Sequence, residues 1–352
     1  MKDCVLNEFV CLVGIPGSGK STWAKNKIAE DPSYVWLSSD SIRQEHPTWD
    51  NGQIFEYMKK MSIKLICEGK SVIYDATNLN FKLRHALRKT LDKAYHKGAL
   101  FGTRCILFAT PEYICRERNS MREGNARVPE NVITKYLKCF TPPMSFEGWG
   151  RIEIEYTHNK KNEWADLFCN ENGILDTFDQ ENPHHELSLG EHMNETAKIA
   201  SHLSSLYAET DSQIRTPEIF LAALYHDIGK VPTKTFINCK GEKTEEAHYY
   251  GHEGYGAYMY VIHMLKNWEY AANSIPSGPN TTTIVDKEIV DHILIPAFYI
   301  SQHMRPYIAW ETSDKAKDRD SKIIPEWDMK ALEILHEADV KAHRLGGPER
   351  DL

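Results

Sequence analysis

Long apolar runs are missing from this 352-residue chain. The longest uninterrupted ones fall well short of the ~20 residues that a membrane-spanning helix needs, which excludes that class. Cysteine is sparse: eight residues stand singly, without a C-x-x-C pair. That scatter argues against a thiolate zinc site or a disulfide framework, and for reduced thiols in a cytoplasmic protein. Met1-Lys-Asp-Cys4 runs directly into a strand-like segment and leaves no room for a signal peptide, the same expectation. Internal repeats and low-complexity tracts are absent as well. What remains is the composition of a soluble globular chain, long enough for two domains with separate cores.

Charge is unevenly spread. Residues 1–157 carry 23 Lys/Arg against 18 Asp/Glu, whereas residues 158–352 carry 19 against 32. The first part suits an anionic partner such as a nucleic-acid end. The second holds 13 of the 16 histidines and suits metal cations.

Strand-like runs at Phe9–Val13, Tyr34–Leu37, Ser71–Tyr74, Arg104–Phe108 and Ile152–Tyr156 alternate with helical patterns at 20–30, 51–68, 81–97, 111–122 and 129–140. This alternation predicts an α/β domain over 1–157, a parallel sheet with helices on both faces. Residues 158–185 are polar and turn-rich and are expected to link it to a second domain, 186–352. There the pattern is almost wholly helical: 188–207, opened by the capping box Ser188-Leu-Gly-Glu191, then 217–229, 252–268, 284–294 and 327–345. Loops are expected at Thr233–Glu246 and Tyr270–Thr283, and Gly346-Gly347-Pro348 closes the last helix.

Directly after the first strand stands Gly14-Ile-Pro-Gly17-Ser-Gly19-Lys20-Ser21-Thr22, a complete G-x-x-x-x-G-K-[ST] phosphate loop. Its glycines let backbone N–H groups turn toward a phosphate, and the helix N-terminus behind adds positive potential. Lys20 is placed to reach the β- and γ-phosphates of ATP, and the Ser21 hydroxyl to ligate Mg²⁺. The second strand ends in Ser38-Ser-Asp40-Ser-Ile-Arg43. A carboxylate at a strand's carboxyl end can accept a hydroxyl proton, and Arg43 one turn on can hold an anionic acceptor. Asp40 could alternatively be a helix N-cap. At the third strand's end, Asp75 could orient Arg43 or a water on Mg²⁺, and Thr77 or Asn78 could contact the acceptor. Arg118 and Arg122 are four residues apart, one face of a helix, and could close as a lid on the transferring phosphoryl. A solvated basic face is the alternative.

GIPGSGKSTWA, the D-x-x-R of Asp40 and Arg43, the DATNLN segment and RNSMR together resemble the kinase domain of bacteriophage-type polynucleotide kinase-phosphatases. The resemblance covers about residues 8–155 and implies transfer of the ATP γ-phosphate to a 5′-hydroxyl end of RNA or DNA. It implies Asp40 as general base, Arg43 on the acceptor nucleotide's phosphate, and Arg122 on the donor phosphates. Ala76, between Asp75 and Thr77, departs from the family pattern. So does the second domain, which has no D-x-D-G-T aspartyl-phosphatase signature.

That second domain carries Tyr225-His226-Asp227-Ile-Gly-Lys230, with His192 before it and Gly251-His252-Glu, Gln302-His303 and Glu337-Ala-Asp339 after it. The series H…HD…GHE…H…D, over about 186–345, resembles the HD superfamily of metal-dependent phosphohydrolases. The resemblance implies one divalent metal on His192, His226, Asp227 and Asp339. It gives His252 and His303 to a second metal or to the substrate phosphate, and Lys230 to a leaving or non-bridging oxygen. Imidazole with carboxylate suits Mn²⁺, Ni²⁺, Co²⁺, Zn²⁺ or Fe²⁺ better than Mg²⁺ alone. His248 is a rival for substrate contact, while His202, His263, His292, His336 and His343 are expected to be surface or packing residues.

Together these features predict a bifunctional end-healing enzyme, with RNA a better fit than DNA as the partner and coupling to a ligase. One domain would phosphorylate a 5′-hydroxyl; the other would remove a 3′- or 2′-phosphate or open a 2′,3′-cyclic phosphate. Known fusions of HD and kinase modules place the HD module first, the reverse of this order. A small-molecule or nucleoside kinase fused to an HD nucleotidase would share both sites. So would a switch that binds ATP only to regulate, though it would not need Asp40 and Arg43.

Overall fold

The computed structural model describes residues 7–158, 174–181, 187–271 and 282–343. Most of the expected linker, much of the Tyr270–Thr283 loop and Gly346–Pro348 lie outside these described residues. The chain divides into two compact units: Met1–Tyr136, Pro143–Lys160 and Pro276–Val290 form one, and Leu137–Pro142, Lys161–Ile275 and Asp291–Leu352 the other.

In the first unit β1 (Asn7–Val13), α1 (Lys20–Glu30), β2 (Tyr34–Ser38), α2 (Ser39–Glu45), α3 (Asn51–Cys67), β3 (Ser71–Asp75) and α4 (Phe81–Tyr95) follow one another. They continue into β4 (Phe101–Ala109), α5 (Glu112–Ser120), α6 (Glu130–Lys138) and β5 (Arg151–Thr157). The five strands are parallel in the order β2-β3-β1-β4-β5. The near-continuous apolar runs of the central strands β1 and β3, with Phe9 to Val13 fully buried, fit strands covered on both faces, whereas β5 alternates apolar residues with Arg151, Glu153 and Glu155. Val10, Leu12, Ile73, Ile106 and Phe108 pack with Ala24 and Trp23 of α1 on one face. Phe9, whose side chain alternates to the other face, stacks on Trp149.

A sixth strand, Thr282–Ile284, pairs antiparallel with β5, with Tyr156 opposite Thr283. It interrupts the stretch expected to be wholly part of the second domain. The β-branched residues Thr282, Thr283 and Ile284 suit a strand, and the helix expected from 284 begins only at Lys287.

The second unit is built on α7 (Leu189–Ala208), α8 (Thr216–Tyr225), α9 (His252–Ala271), α10 (Lys287–Gln302), α11 (Asp314–Ser321) and α12 (Glu326–Ala342). The Ser188–Glu191 capping box opens α7, which packs against α8 and α12. α8 stops at Tyr225, short of the expected Gly229, and a separate turn, Lys230–Thr233, follows. The expected loop at Thr233–Glu246 holds an antiparallel hairpin, Thr235–Ile237 with Lys243–His248. Asn238 makes the turn: its side-chain oxygen accepts from the N–H groups of Lys240 and Glu242. Among the described residues no helix is long and apolar enough to cross a membrane.

Candidate active sites

Strand order brings the first site together. Asp75 ends β3, opposite Ser38 of β2 on one side and Leu12 of β1 on the other. The phosphate loop and the Asp40 segment therefore flank one carboxylate, at the carboxyl edge where parallel sheets bind ligands. Asp75 Oδ2 accepts from Ser21 Oγ at 2.8 Å and from Trp36 Nε1 at 3.1 Å. Burial pushes its pKa up, while Lys20 and these donors act the other way. A hydroxyl beside a strand-end carboxylate is a donor set that fits Mg²⁺.

The loop itself fits a phosphate. Gly17 has φ +87°, and a Cβ there would lie 2.4 Å from the Cys115 carbonyl oxygen. Only glycine allows that approach. Lys20 is buried, and its ammonium donates to the Gly14 and Ile15 carbonyls at 2.8 and 2.9 Å. Burial pulls its pKa down, against the negative charge of Asp75. Thr22, next to Ser21 on α1, is exposed.

Asp40 is exposed in the first turn of α2, and Ser38 is the N-cap, accepting from the Ser41 N–H. The carboxylate is thus not used in capping. It pairs with Arg43 at 2.8 Å, and Arg43 also donates to Asn51 at 3.1 Å. Arg43 is held by these groups and not by Asp75.

Two other expectations change. Thr77 or Asn78 was expected at the acceptor; the Thr77 backbone carbonyl accepts from the Gly14 N–H at 3.0 Å, a main-chain bond that does not engage its side chain. Asn78, with φ +48°, donates its amide to the Leu12 carbonyl at 2.7 Å. Both therefore fasten β3 to the start of the loop. The lid arginines do not share a helix either. Arg118 lies in α5 and reaches the Gly17 carbonyl at 3.2 Å, whereas Arg122 follows the C-cap Met121.

In the second unit the helix ends converge. His192 comes from the first turn of α7, His226 and Asp227 from the end of α8, His252 from the start of α9, His303 from the end of α10 and Asp339 from α12. All six are buried. Gly229 brings His252 in: a Cβ on it would stand 2.1 Å from the His252 carbonyl.

Ligand atoms of His192, His226 and Asp339 lie within 4.8 Å of one another, as do those of Asp227, His252 and His303. Asp227 faces both sets. Its Oδ2 is 3.3 Å from His226 Nε2 and 3.5 Å from His192 Nε2; its Oδ1 is 3.1 Å from His252 Nε2 and 3.6 Å from His303 Nε2. The Nδ1 atoms of His226, His252 and His303 each lie 2.8 Å from the carbonyl three residues earlier, which turns every Nε2 inward. Nε2 of His226 and Oδ1 of Asp339 are buried without a well-formed hydrogen bond. Lone pairs gathered in this way fit divalent cations. Burial opposes charge on His226, but Asp227 and Asp339 outweigh it and raise the imidazolium to about 10. Both carboxylates fall well below their usual range despite burial, Asp227 through Lys230 and His226, Asp339 through His226 and His192.

Lys230 contacts Asp227 Oδ2, the oxygen that also faces His226 and His192, at 2.7 Å and donates to Gln180 Oε1 at 2.8 Å. His248 sits at the end of the hairpin, stacked on Tyr250, and no contact among the described residues joins it to the cluster. His343, expected to be a surface or packing residue, packs directly against the cluster without joining either ligand set. Its ring stacks on His192 and its Nε2 is 3.4 Å from Asp339 Oδ1. The signal was present: Asp339 and His343 are four apart on a helix. Tyr307, also missed, donates to Asp339 Oδ2 at 3.0 Å.

Residues 9–143 match the AAA domain family and residues 189–294 match the HD domain family. The chain joins a P-loop domain to an HD domain. A bifunctional polynucleotide phosphatase/kinase of Schizosaccharomyces pombe is 27% identical over 149 residues, 42% of this chain and 33% of the relative. A relative from Acanthamoeba polyphaga mimivirus, provisionally given the same name, is 25% identical over 151 residues, 42% of this chain and 32% of its own. These alignments lie in the P-loop region, so the chain spans about a third of each relative's length. Among solved structures a fungal RNA kinase aligns over 45% of this chain and 77% of its own, at 15% identity and a TM-score of 0.34.

Proposed function

We propose that this chain is a bifunctional end-healing enzyme acting on nucleic acid, RNA in preference to DNA. The P-loop domain would move the γ-phosphate of ATP to a 5′-hydroxyl. The HD domain would hydrolyse a 3′- or 2′-phosphate or a 2′,3′-cyclic phosphate. The observation that carries the reading is the Asp40–Arg43 pair, exposed on the same sheet edge as the phosphate loop. The names of the relatives matched in the P-loop region support it.

In this reading the loop amides and Lys20 hold the donor phosphates, while Ser21 and Asp75 would hold Mg²⁺. Asp40 takes the proton from the attacking 5′-hydroxyl, and Arg43 releases it to grip the acceptor's phosphate. Arg118 and Arg122 neutralise charge on the transferring group. In the HD domain, His192, His226, Asp227 and Asp339 would hold one divalent cation, and His252 and His303, sharing Asp227, a second. Such cations acidify a water and draw off charge from phosphate oxygens. Lys230 keeps Asp227 ionised and aimed.

The test is ATP-dependent labelling of 5′-hydroxyl oligonucleotides, in RNA and DNA forms, by wild type and by Lys20→Ala and Asp40→Ala. Labelling by wild type and its loss in both variants are expected, with mononucleosides competing poorly. Absence of labelling by wild type across several metals overturns the kinase assignment. Release of terminal phosphate should vanish in Asp227→Ala while labelling persists. A product phosphorylated at one end and dephosphorylated at the other is what a ligase requires.

A further inference from the structure

The four cluster histidines point their Nδ1 atoms at backbone carbonyls, of Ala342, Ala223, Tyr249 and Ile300, so main chain sets their orientation. Asp339 is aimed differently. Its Oδ2 accepts from the Tyr307 hydroxyl at 3.0 Å, which leaves Oδ1 facing His192 Nε2 at 3.0 Å and His226 Nε2 at 3.6 Å. A carboxylate without that bond can rotate about χ2 and present either oxygen or both.

Tyr307 is itself braced. It lies in the π-helical turn Pro306–Trp310, four residues beyond His303. Asp320, buried at the end of α11, grips both ends of this turn. Its Oδ2 accepts from Arg305 Nη2 at 2.7 Å, from Arg305 Nε at 3.1 Å and from Trp310 Nε1 at 3.0 Å. π-turns interrupt helices at a cost and recur where a side chain must be aimed. One short segment thus carries His303, from one ligand set, and fixes Asp339, from the other.

We infer that Tyr307 is a positioning residue for the metal centre, holding Asp339 to one-oxygen ligation, with Asp320 as the clamp that sets the turn. The inference rests on the metal-binding reading of the HD cluster. Hydrogen bonds to a ligating carboxylate of this kind are worth about 10–100-fold in metal affinity.

The experiment is calorimetric titration of metal-stripped full chain with Mn²⁺, for wild type, Tyr307→Phe and Asp320→Asn. Phenylalanine keeps the ring that lies edge-on to His336 and removes only the hydroxyl. Tyr307→Phe is expected to weaken one Mn²⁺ binding event about 10–100-fold. Its metal-free melting curve and ATP-dependent labelling should stay at wild-type values. Asp320→Asn should weaken Mn²⁺ binding in the same direction. Unchanged Mn²⁺ affinity in Tyr307→Phe overturns the inference, as does a fall in metal-free stability alone, which would mark a packing role. If wild type itself binds no Mn²⁺, Ni²⁺ or Co²⁺, it is the metal reading of the cluster that fails.

Discussion

Replacing Glu147 with glutamine in the P-loop domain tests how the phosphate loop is held. Glu147 and Arg84 have fully buried side chains and meet through two hydrogen bonds, 2.9 Å from Nε and 2.7 Å from Nη2. The Met144 N–H at 3.0 Å and Trp149 Nε1 at 2.9 Å also donate to the same carboxylate. Glutamine keeps the shape but turns one of two acceptor-only oxygens into an NH₂, which must then face two N–H donors. It also leaves the Arg84 guanidinium without its counter-charge. Breaking a buried pair on one side costs about 3–5 kcal/mol. For a domain of this size that is roughly 6–20 °C in melting temperature. The effect should reach function as well. Arg84 Nη1 donates to the Asn78 carbonyl at 2.8 Å, and Asn78 and Thr77 tie β3 to Leu12 and Gly14. The assay is thermal melting of the full chain, with the P-loop transition identified by its shift on adding ATP and Mg²⁺. Adding Arg84→Met to Glu147→Gln should restore part of the loss, because the stranded charge goes. A loss under about 1 kcal/mol in Glu147→Gln, or no recovery in the double variant, would refute the reasoning.

Three further outcomes are expected. Gly17→Ala should weaken ATP binding about tenfold or more, measured by equilibrium titration, since its Cβ collides with the Cys115 carbonyl at 2.4 Å in a left-handed conformation. Metal-free protein should lose HD-domain stability as pH rises from 7 toward 10: with the folded His226 pKa raised to about 10, its contribution is complete below about 6.5 and fades above. Melting curves across that range check the sign, and a rising or flat profile contradicts it. A fragment ending at residue 158 should melt lower than the intact P-loop domain or self-associate, seen by light scattering, because it lacks Thr282–Ile284 and bares the β5 edge.

The α/β half was legible nearly residue by residue. Its central strands are near-continuous apolar runs, and its phosphate loop is a fixed spacing with a known mechanism. What the sequence did not disclose there was which neighbour each polar side chain would choose. Asn78 stands at a strand end, where ligands bind, yet its side-chain amide turns inward to the Leu12 carbonyl. Nothing local separates those outcomes, because they depend on β1 lying beside β3 and not beside β2. The strand Thr282–Ile284 was hidden for a related reason. Three residues carry too little pattern to register, and their partner lies more than 120 positions earlier.

The HD cluster shows where spacing informs and where it does not. Isolated histidines at 192, 226, 252 and 303 become a site only because four helix ends meet, and the order H…HD…H…D records that meeting indirectly. His343 could have been read locally. Once Asp339 is assigned to the cluster, a histidine four residues on must share its helix face, and the observed 3.4 Å separation follows from helix geometry. Tyr307 could not be read in this way. Its hydroxyl reaches Asp339 from a π-turn whose form depends on Asp320, a carboxylate that looks like any other charge in the polar run Asp314–Ser321. Burial decides between a solvated carboxylate and a clamp, and burial is a property of the assembled helices. The groups that aim the ligands are therefore the part of this site that only the fold discloses.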